Sequence, residues 1–144
     1  MSDTVTDILT DMVEALRTSG QFRLVCLQDA ASSTDVPRAC ISYEGQESFA
    51  PDDCGQGRWI RLAATVSVHT RSTEPSERIG RICQLGQAAI DALLSDRFRG
   101  QRCTDLPIGQ ATEVSRIRLD CTGKRPEVEM TFDVRCHFQT PEDS

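Results

Sequence analysis

The segment EVEMTFDVRCHFQ, at residues 127–139, constrains the fold more than any other part of the chain. Its apolar side chains stand at every second position: Val128, Met130, Phe132, Val134, Cys136 and Phe138. Polar side chains occupy the positions between them. A period of two, held over so long a segment, is typical of a strand with one face on a core and the other toward water. The chain must therefore build a sheet that has a covered side and an open side.

The same period predicts four more strands, at about 22–29, 38–45, 59–72 and 112–121. In the third of these, the side chains expected to point inward are Ile60, Leu62, Ala64, Val66 and Val68. Between the last two strands, TGKRP at 122–126 has the glycine and proline of a short hairpin turn. These two strands are therefore expected to be antiparallel neighbours.

Two segments carry the apolar spacing of helices instead. Residues 3–18 form one amphipathic stripe, and Gly20 follows the last apolar position. Residues 72–96 form a second, whose predicted buried positions are Ile79, Ile82, Cys83, Gly86, Ala89, Ile90, Leu93 and Leu94. Because Gly86 and Ala89 are small, this helix is expected to lie close to its neighbour.

The element order is α-β-β-β-α-β-β, with strands in groups rather than alternating with helices. This order predicts an α+β fold, with a mainly antiparallel sheet of about five strands and two helices on one face. The 144 residues suit a single domain, 1–144. Residues 45–58, rich in glycine and acidic side chains, are expected to form a long flexible loop, and 140–144 a loose tail.

The charge of the chain excludes some functions. The net charge of −6 argues against binding DNA through its phosphates, because like charges repel. No apolar stretch approaches the roughly 18–20 residues of a membrane span, and the acidic start MSDTVTDILTD lacks the basic region of a signal peptide. We therefore expect a cytosolic location for the newly made chain.

The seven cysteines are scattered, and no pair has the C-x-x-C spacing of metal or redox motifs. Several stand where the strand or helix pattern needs a small apolar residue, so reduced core thiols are expected. Cys54 and Cys103 lie in predicted loops, and the sequence leaves open whether they are exposed. No catalytic, cofactor or metal site is predicted.

Other candidate groups have ordinary explanations. His69 and His137 have outward parity on their strands, and surface histidines are expected because no third metal ligand is in register. Asp52 and Asp53 are read as a solvated loop pair. The basic run of Arg97, Arg99 and Arg102 follows the second helix. It either satisfies the C-terminus of that helix or forms a docking patch.

Charged side chains of both signs share the outward face of the sheet. Mixed charges stabilise cross-strand pairs and also suit contacts between copies of the chain. The candidate ring or lumen face is Arg61, Arg116, Arg118, Glu129, Asp133 and Arg135. The candidate docking loop is Glu47, Phe49, Asp52, Asp53 and Arg58.

In arrangement, the chain resembles the tail terminator (tail completion) proteins of long-tailed bacteriophages. The resemblance begins with the helix ILTDMVEAL, short strands ending ISYEG, a long loop, and the strand WIRLAATVSVHTRS. It ends with the helix ERIGRICQLGQAAIDALL and the closing pair RIRLDCTGKRPEVEMTFDVRCHF. It covers nearly the whole chain through the order and spacing of its elements, rather than through a single motif.

The resemblance implies a virion protein without enzymatic activity or cofactor, assembled in the host cytoplasm. Such proteins form a ring of six copies on the head-proximal end of the tail tube. The ring stops polymerisation of the tube protein, receives the head–tail connector and lets DNA pass without specific binding. Two alternatives stay open: another neck or tail-tube subunit, or a small dimeric α+β ligand-binding domain with an apolar cavity.

Overall fold

The computed structural model describes residues 4–28, 35–50, 58–72, 74–107, 109–120 and 127–140. Two helices and five strands follow one another in the predicted order. The helices are α1, Thr4–Thr18, and α2, Pro75–Leu94. The strands are β1, Leu24–Leu27; β2, Arg38–Phe49; β3, Arg58–Arg71; β4, Thr112–Asp120; and β5, Glu127–Thr140.

The strands form one sheet in the order β1-β2-β3-β5-β4. The α+β fold is confirmed, and the sheet is mixed, because β1 runs parallel to β2 while every other neighbouring pair is antiparallel. The long alternating strand β5 lies inside the sheet, between β3 and β4. The two edges are therefore the short β1 and the β4 strand.

Both helices pack on the same face of the sheet. The α1 side chains Ile8, Met12 and Leu16 are fully buried, as are Ile82 and Leu93 of α2. They share one core with alternate residues of the central strands: Leu62, Val66 and Val68 of β3, and Val128, Met130, Phe132, Val134, Cys136 and Phe138 of β5. Burying one such side chain contributes roughly 1.5–3 kcal/mol. The core is thus the apolar half of the central strands β3 and β5, as predicted, whereas Ile117 and Leu119 of β4 are 55% and 46% exposed.

The predicted buried stripe of α2 is too long at both ends. Ile79 is 57% exposed and Leu94 is 38% exposed. The buried residues of α2 begin at Ile82 and end at Leu93. Helical periodicity identifies the side of a helix that is apolar, but it does not tell where along the axis the sheet stops covering it.

The predicted loop 45–58 is wrong for its first part. Residues 45–49 continue β2 and pair with residues 59–63 of β3. Gly45, read as a loop glycine, has φ +129° and lies at a shift of register after Tyr43, so it serves a bulge within the strand. Residues 51–57 of the predicted loop and the tail residues 141–144 lie outside the described residues.

Candidate assembly surface

The side of the sheet opposite the helices is here called the open face. Its centre consists of small side chains that are partly exposed: Ala63, Thr65 and Ser67 on β3 and Thr131 on β5. Ser67 and Thr131 are direct cross-strand partners. Among the described residues, no helix covers this centre, so a flat surface of small polar groups is available for contact.

Charged groups line the open face toward the β4 edge. The guanidinium of Arg118 lies 3.2 Å from the Asp133 carboxylate, and its Nε donates to the Thr131 hydroxyl at 3.1 Å. Arg116 lies 3.9 Å from the same carboxylate, across a bulge where its φ is +53°. Both arginine side chains are more than half exposed. Such exposed pairs contribute about 0–1 kcal/mol to folding, which leaves their charges available to a partner.

The other predicted face residues lie on the same side of the sheet. Arg135 is exposed and stands between Ala63 and Glu113 in the register. Glu129 lies 3.1 Å from the His69 ring. The structure therefore brings the six predicted residues onto one face, although Glu129 lies far along the strands from Arg61.

Arg61 lies at one end of the open face in a cluster with an aromatic ring. Its guanidinium carbon lies 4.4 Å over the centre of the Phe49 ring, and Nη1 donates to Glu47 at 3.2 Å. Glu47 and Phe49 are thus members of a paired strand rather than of a free loop, and Arg58 begins β3. Asp52 and Asp53, the other predicted docking residues, lie outside the described residues.

His137 is fully buried, so the prediction of a surface histidine is wrong there. Its Nδ1 lies 2.9 Å from the Gln110 carbonyl, and its Nε2 lies 3.1 Å from the Arg61 Nε–H donor. The network therefore assigns the proton to Nδ1 and makes the ring neutral. Burial lowers the pKa of His137. Strand parity predicts the side of the sheet correctly but does not show that Thr104 and Ala111 hydrogen-bond to the backbone of His137.

His69 lies near the opposite end of the open face, between two carboxylates. Its ring nitrogens lie 3.3 Å from Glu127 and 3.1 Å from Glu129. Burial lowers the pKa of His69, and Arg38 lowers it further, against the opposing effect of the two glutamates. Eight residues of β3, about 26 Å, separate it from Arg61 and the neighbouring His137 ring. The two histidines therefore do not form one site.

The position of Arg99 distinguishes the two explanations of the basic run after α2. This side chain is fully buried and donates to the carbonyls of Leu93 and Asp96, at the end of the helix. Asp11 of α1 lies 3.1 Å from its guanidinium. The interpretation as a helix C-terminal group is confirmed for Arg99, while Arg97 pairs with Asp105 at 2.9 Å.

The helix side of the molecule has a groove of about 600 Å³ between α1 and α2. Its lining includes the carboxylates of Asp11, Glu14, Asp91 and Asp96, with small alanines between them. The ligand-binding alternative predicts an apolar cavity, and this groove is acidic instead. In the described parts of the chain, no three His, Cys, Asp or Glu side chains are grouped so that they could hold a metal ion. Nor is any helix there long and apolar enough to span a bilayer.

Cys103 is buried, with 3% of its surface exposed, so its loop position does not expose it. A hydrogen bond with Cys136 and burial both raise the pKa of the Cys103 thiol. Cys54, the other cysteine in a predicted loop, lies outside the described residues. The expectation of reduced core thiols holds for Cys103 and Cys136, which are fully enclosed.

Comparison with known proteins identifies the fold but no family. No protein-family profile matches the chain, and no curated protein matches it. A solved protein whose name states no function matches over 100% of this chain and 99% of its own, with a TM-score of 0.52 and 15% identity. A chain described as "Virion of native gene transfer agent (GTA) particle" matches over 92% of both chains, with a TM-score of 0.45 and 13% identity. The first likeness shows a shared fold alone, and the second, at its lower TM-score, carries no argument.

Proposed function

We propose that this protein is a structural virion component that caps the head-proximal end of a phage tail tube as a ring. In this role it ends polymerisation of the tube protein and provides the surface for head–tail joining. The observation that carries the proposal is the open face: one side of the sheet is covered by two helices, and the other presents charged and small polar groups. The matching order of elements, which resembles that of tail terminators, supports it.

A closed ring needs two different surfaces on each copy, because each copy contacts a neighbour on both sides. The sheet offers two different edges, the four-residue β1 and the bulged β4. Exposed Arg116 and Arg118 stand at the β4 edge, and Arg135 lies on the adjoining strand. An unpaired edge promotes uncontrolled association, and ring closure uses that tendency while limiting it.

The proposed partners follow from this role. The chain forms a homo-hexamer, binds the tail tube protein on one side and the head–tail connector on the other, and is located in the neck of the virion after assembly in the host cytoplasm. DNA passes through the lumen without specific binding. The net charge of −6 suits this passage, because a negative protein does not bind the DNA phosphates. We place the docking end where β2 ends and β3 begins, near Glu47, Phe49 and Arg58.

The test is a tube-growth assay with the purified protein. Tail tube subunits are polymerised alone and with increasing amounts of this protein, and tube lengths are measured by electron microscopy. The proposal predicts that tubes stop growing and carry the protein at one end only. Tubes of unchanged length without bound protein would contradict it. Incorporation along the tube, or filaments of this protein by itself, would favour the alternative of a tube subunit.

A further inference from the structure

Two cysteines that are distant in sequence lie side by side in the sheet. Cys26 of β1 and Cys40 of β2 are direct partners in the parallel pairing of these strands. Their sulfur atoms are 2.7 Å apart. Cys26 is partly exposed, whereas Cys40 is 5% exposed. Cys26 is therefore the member of the pair that a reagent in solution meets first.

The geometry of this pair suits a covalent bond. The bonded distance between two sulfurs is about 2.04 Å, so the sulfurs need to approach by only about 0.7 Å. Neighbouring strands lie about 4.8 Å apart, which is within the span that a disulfide bridges between α-carbons. The backbone therefore already has the separation that a disulfide requires.

We propose that Cys26 and Cys40 form a redox site, in which a disulfide ties the edge strand β1 to β2. The oxidant is a low-molecular-weight disulfide. The Cys26 thiolate attacks one of its sulfurs, forms a mixed disulfide and releases one small thiolate. The Cys40 thiolate then attacks the Cys26 sulfur and displaces the second small thiolate. Two protein thiols are oxidised, one reagent disulfide is reduced to two thiols, and the two thiol protons leave with them.

The consequence concerns an edge of the sheet. β1 has four residues and, among the described strands, pairs only with β2, so few strand hydrogen bonds hold it there. A disulfide across this pair restricts the unfolded chain and keeps the edge strand in place. A reducing cytoplasm keeps the two thiols reduced, and an oxidising exterior favours the bond. That the protein passes from the first environment to the second rests on the proposed virion role.

A second thiol pair in the same molecule provides the contrast. Cys103 and Cys136 are 3% and 0% exposed. Neither thiol is therefore exposed to a reagent in solution. Closeness of two thiols is not sufficient, and the partial exposure of Cys26 distinguishes the site.

The experiment uses the purified full-length chain, incubated with oxidised glutathione and analysed by intact mass and by peptide mapping without reduction. We expect a loss of about 2 Da and a cross-linked peptide that joins Cys26 to Cys40. The thermal midpoint of the oxidised chain should rise by several degrees. The variant Cys26→Ser should lose both effects, whereas Cys83→Ser, on α2, should behave as the wild type.

Three outcomes would overturn the proposal: a chain that keeps all its thiols, a cross-link between other cysteines, or a Cys26→Ser variant that still gains the bond. If Cys26→Ser fails to fold, Cys40→Ala gives the same test, with a single glutathione adduct expected on Cys26. The intact mass and the peptide map report covalent bonds within one chain, so they do not require a ring to form. A chain that forms the disulfide but does not cap tubes would therefore refute the proposed function and leave the redox site intact.

Discussion

The side chain of Met130 on β5 occupies the space that a β-carbon at Gly86 would need. An ideal β-carbon built there would lie 2.7 Å from the Met130 methyl carbon and still closer to the sulfur. Gly86 is thus what allows α2 to lie against the sheet at this point. The small residues Gly86 and Ala89 in the apolar stripe of α2 predict this close approach.

We expect the substitution Gly86→Ala to destabilise the fold by about 1–2 kcal/mol. Overpacking costs about 1–3 kcal/mol, and the better helix propensity of alanine returns up to about 1 kcal/mol. Gly80→Ala is the matched control, because nothing lies within 4 Å of its added carbon in the same helix. It should raise the free energy of unfolding. Urea unfolding measures both, and equal effects of the two substitutions would contradict this account of Gly86.

The buried guanidinium of Arg99 should be important for stability. Arg99→Ala leaves the carbonyls of Leu93 and Asp96 without their donor and Asp11 without its partner, so a loss of about 2–4 kcal/mol is expected. Arg17→Ala is the control, because Arg17 pairs with Glu14 on an exposed helix surface, where a pair contributes about 0.3–0.5 kcal/mol. A loss for Arg99→Ala as small as that of the control, in the same unfolding assay, would show that the buried network is dispensable.

His137 should make the protein less stable as the pH falls. Its pKa in the folded state lies below the ordinary 6.5, because the buried ring resists protonation and Arg61 faces the nitrogen that would accept the proton. The unfolded chain therefore binds more protons below about pH 6.5, and the free energy of unfolding decreases from about pH 7 to pH 5. NMR titration of the two histidine rings measures the shift directly. His137→Gln should reduce the pH dependence, with a remainder from His69, whose pKa burial also lowers, and an unchanged slope would assign the dependence to other groups.

The alternation in β3 and β5 is enough to predict the covered face, the open face and the side on which Arg61, Glu129, Asp133 and Arg135 lie. The sequence could not show that β1 runs parallel to β2, because strand period carries no information about direction. Gly45 was read as a loop residue because bulges and loops use glycine for the same conformational reason. His137 has the parity of a surface residue, but it is fully buried, and strand period does not indicate its backbone hydrogen bonds to Thr104 and Ala111.

The open face should tolerate charge reversal in folding but not in assembly. Arg135→Glu places a carboxylate beside Glu113, and its effect on unfolding should stay below about 1 kcal/mol because the position is exposed. If the face contacts neighbouring copies, the assembled mass should decrease. Arg17→Glu makes the same charge change on the exposed side of α1 and should leave the assembled mass unchanged. An identical mass for both variants would exclude Arg135 from the ring contact.

The proposed function depends on a closed ring of copies of this chain. Its absolute mass is measured by light scattering over a wide range of concentrations and in the presence of tail tubes. A closed hexamer should give one species of six times the chain mass of 15.9 kDa, which does not grow further at higher concentration. A dimer, a mass that keeps growing, or a single chain that tail tubes do not recruit would contradict it.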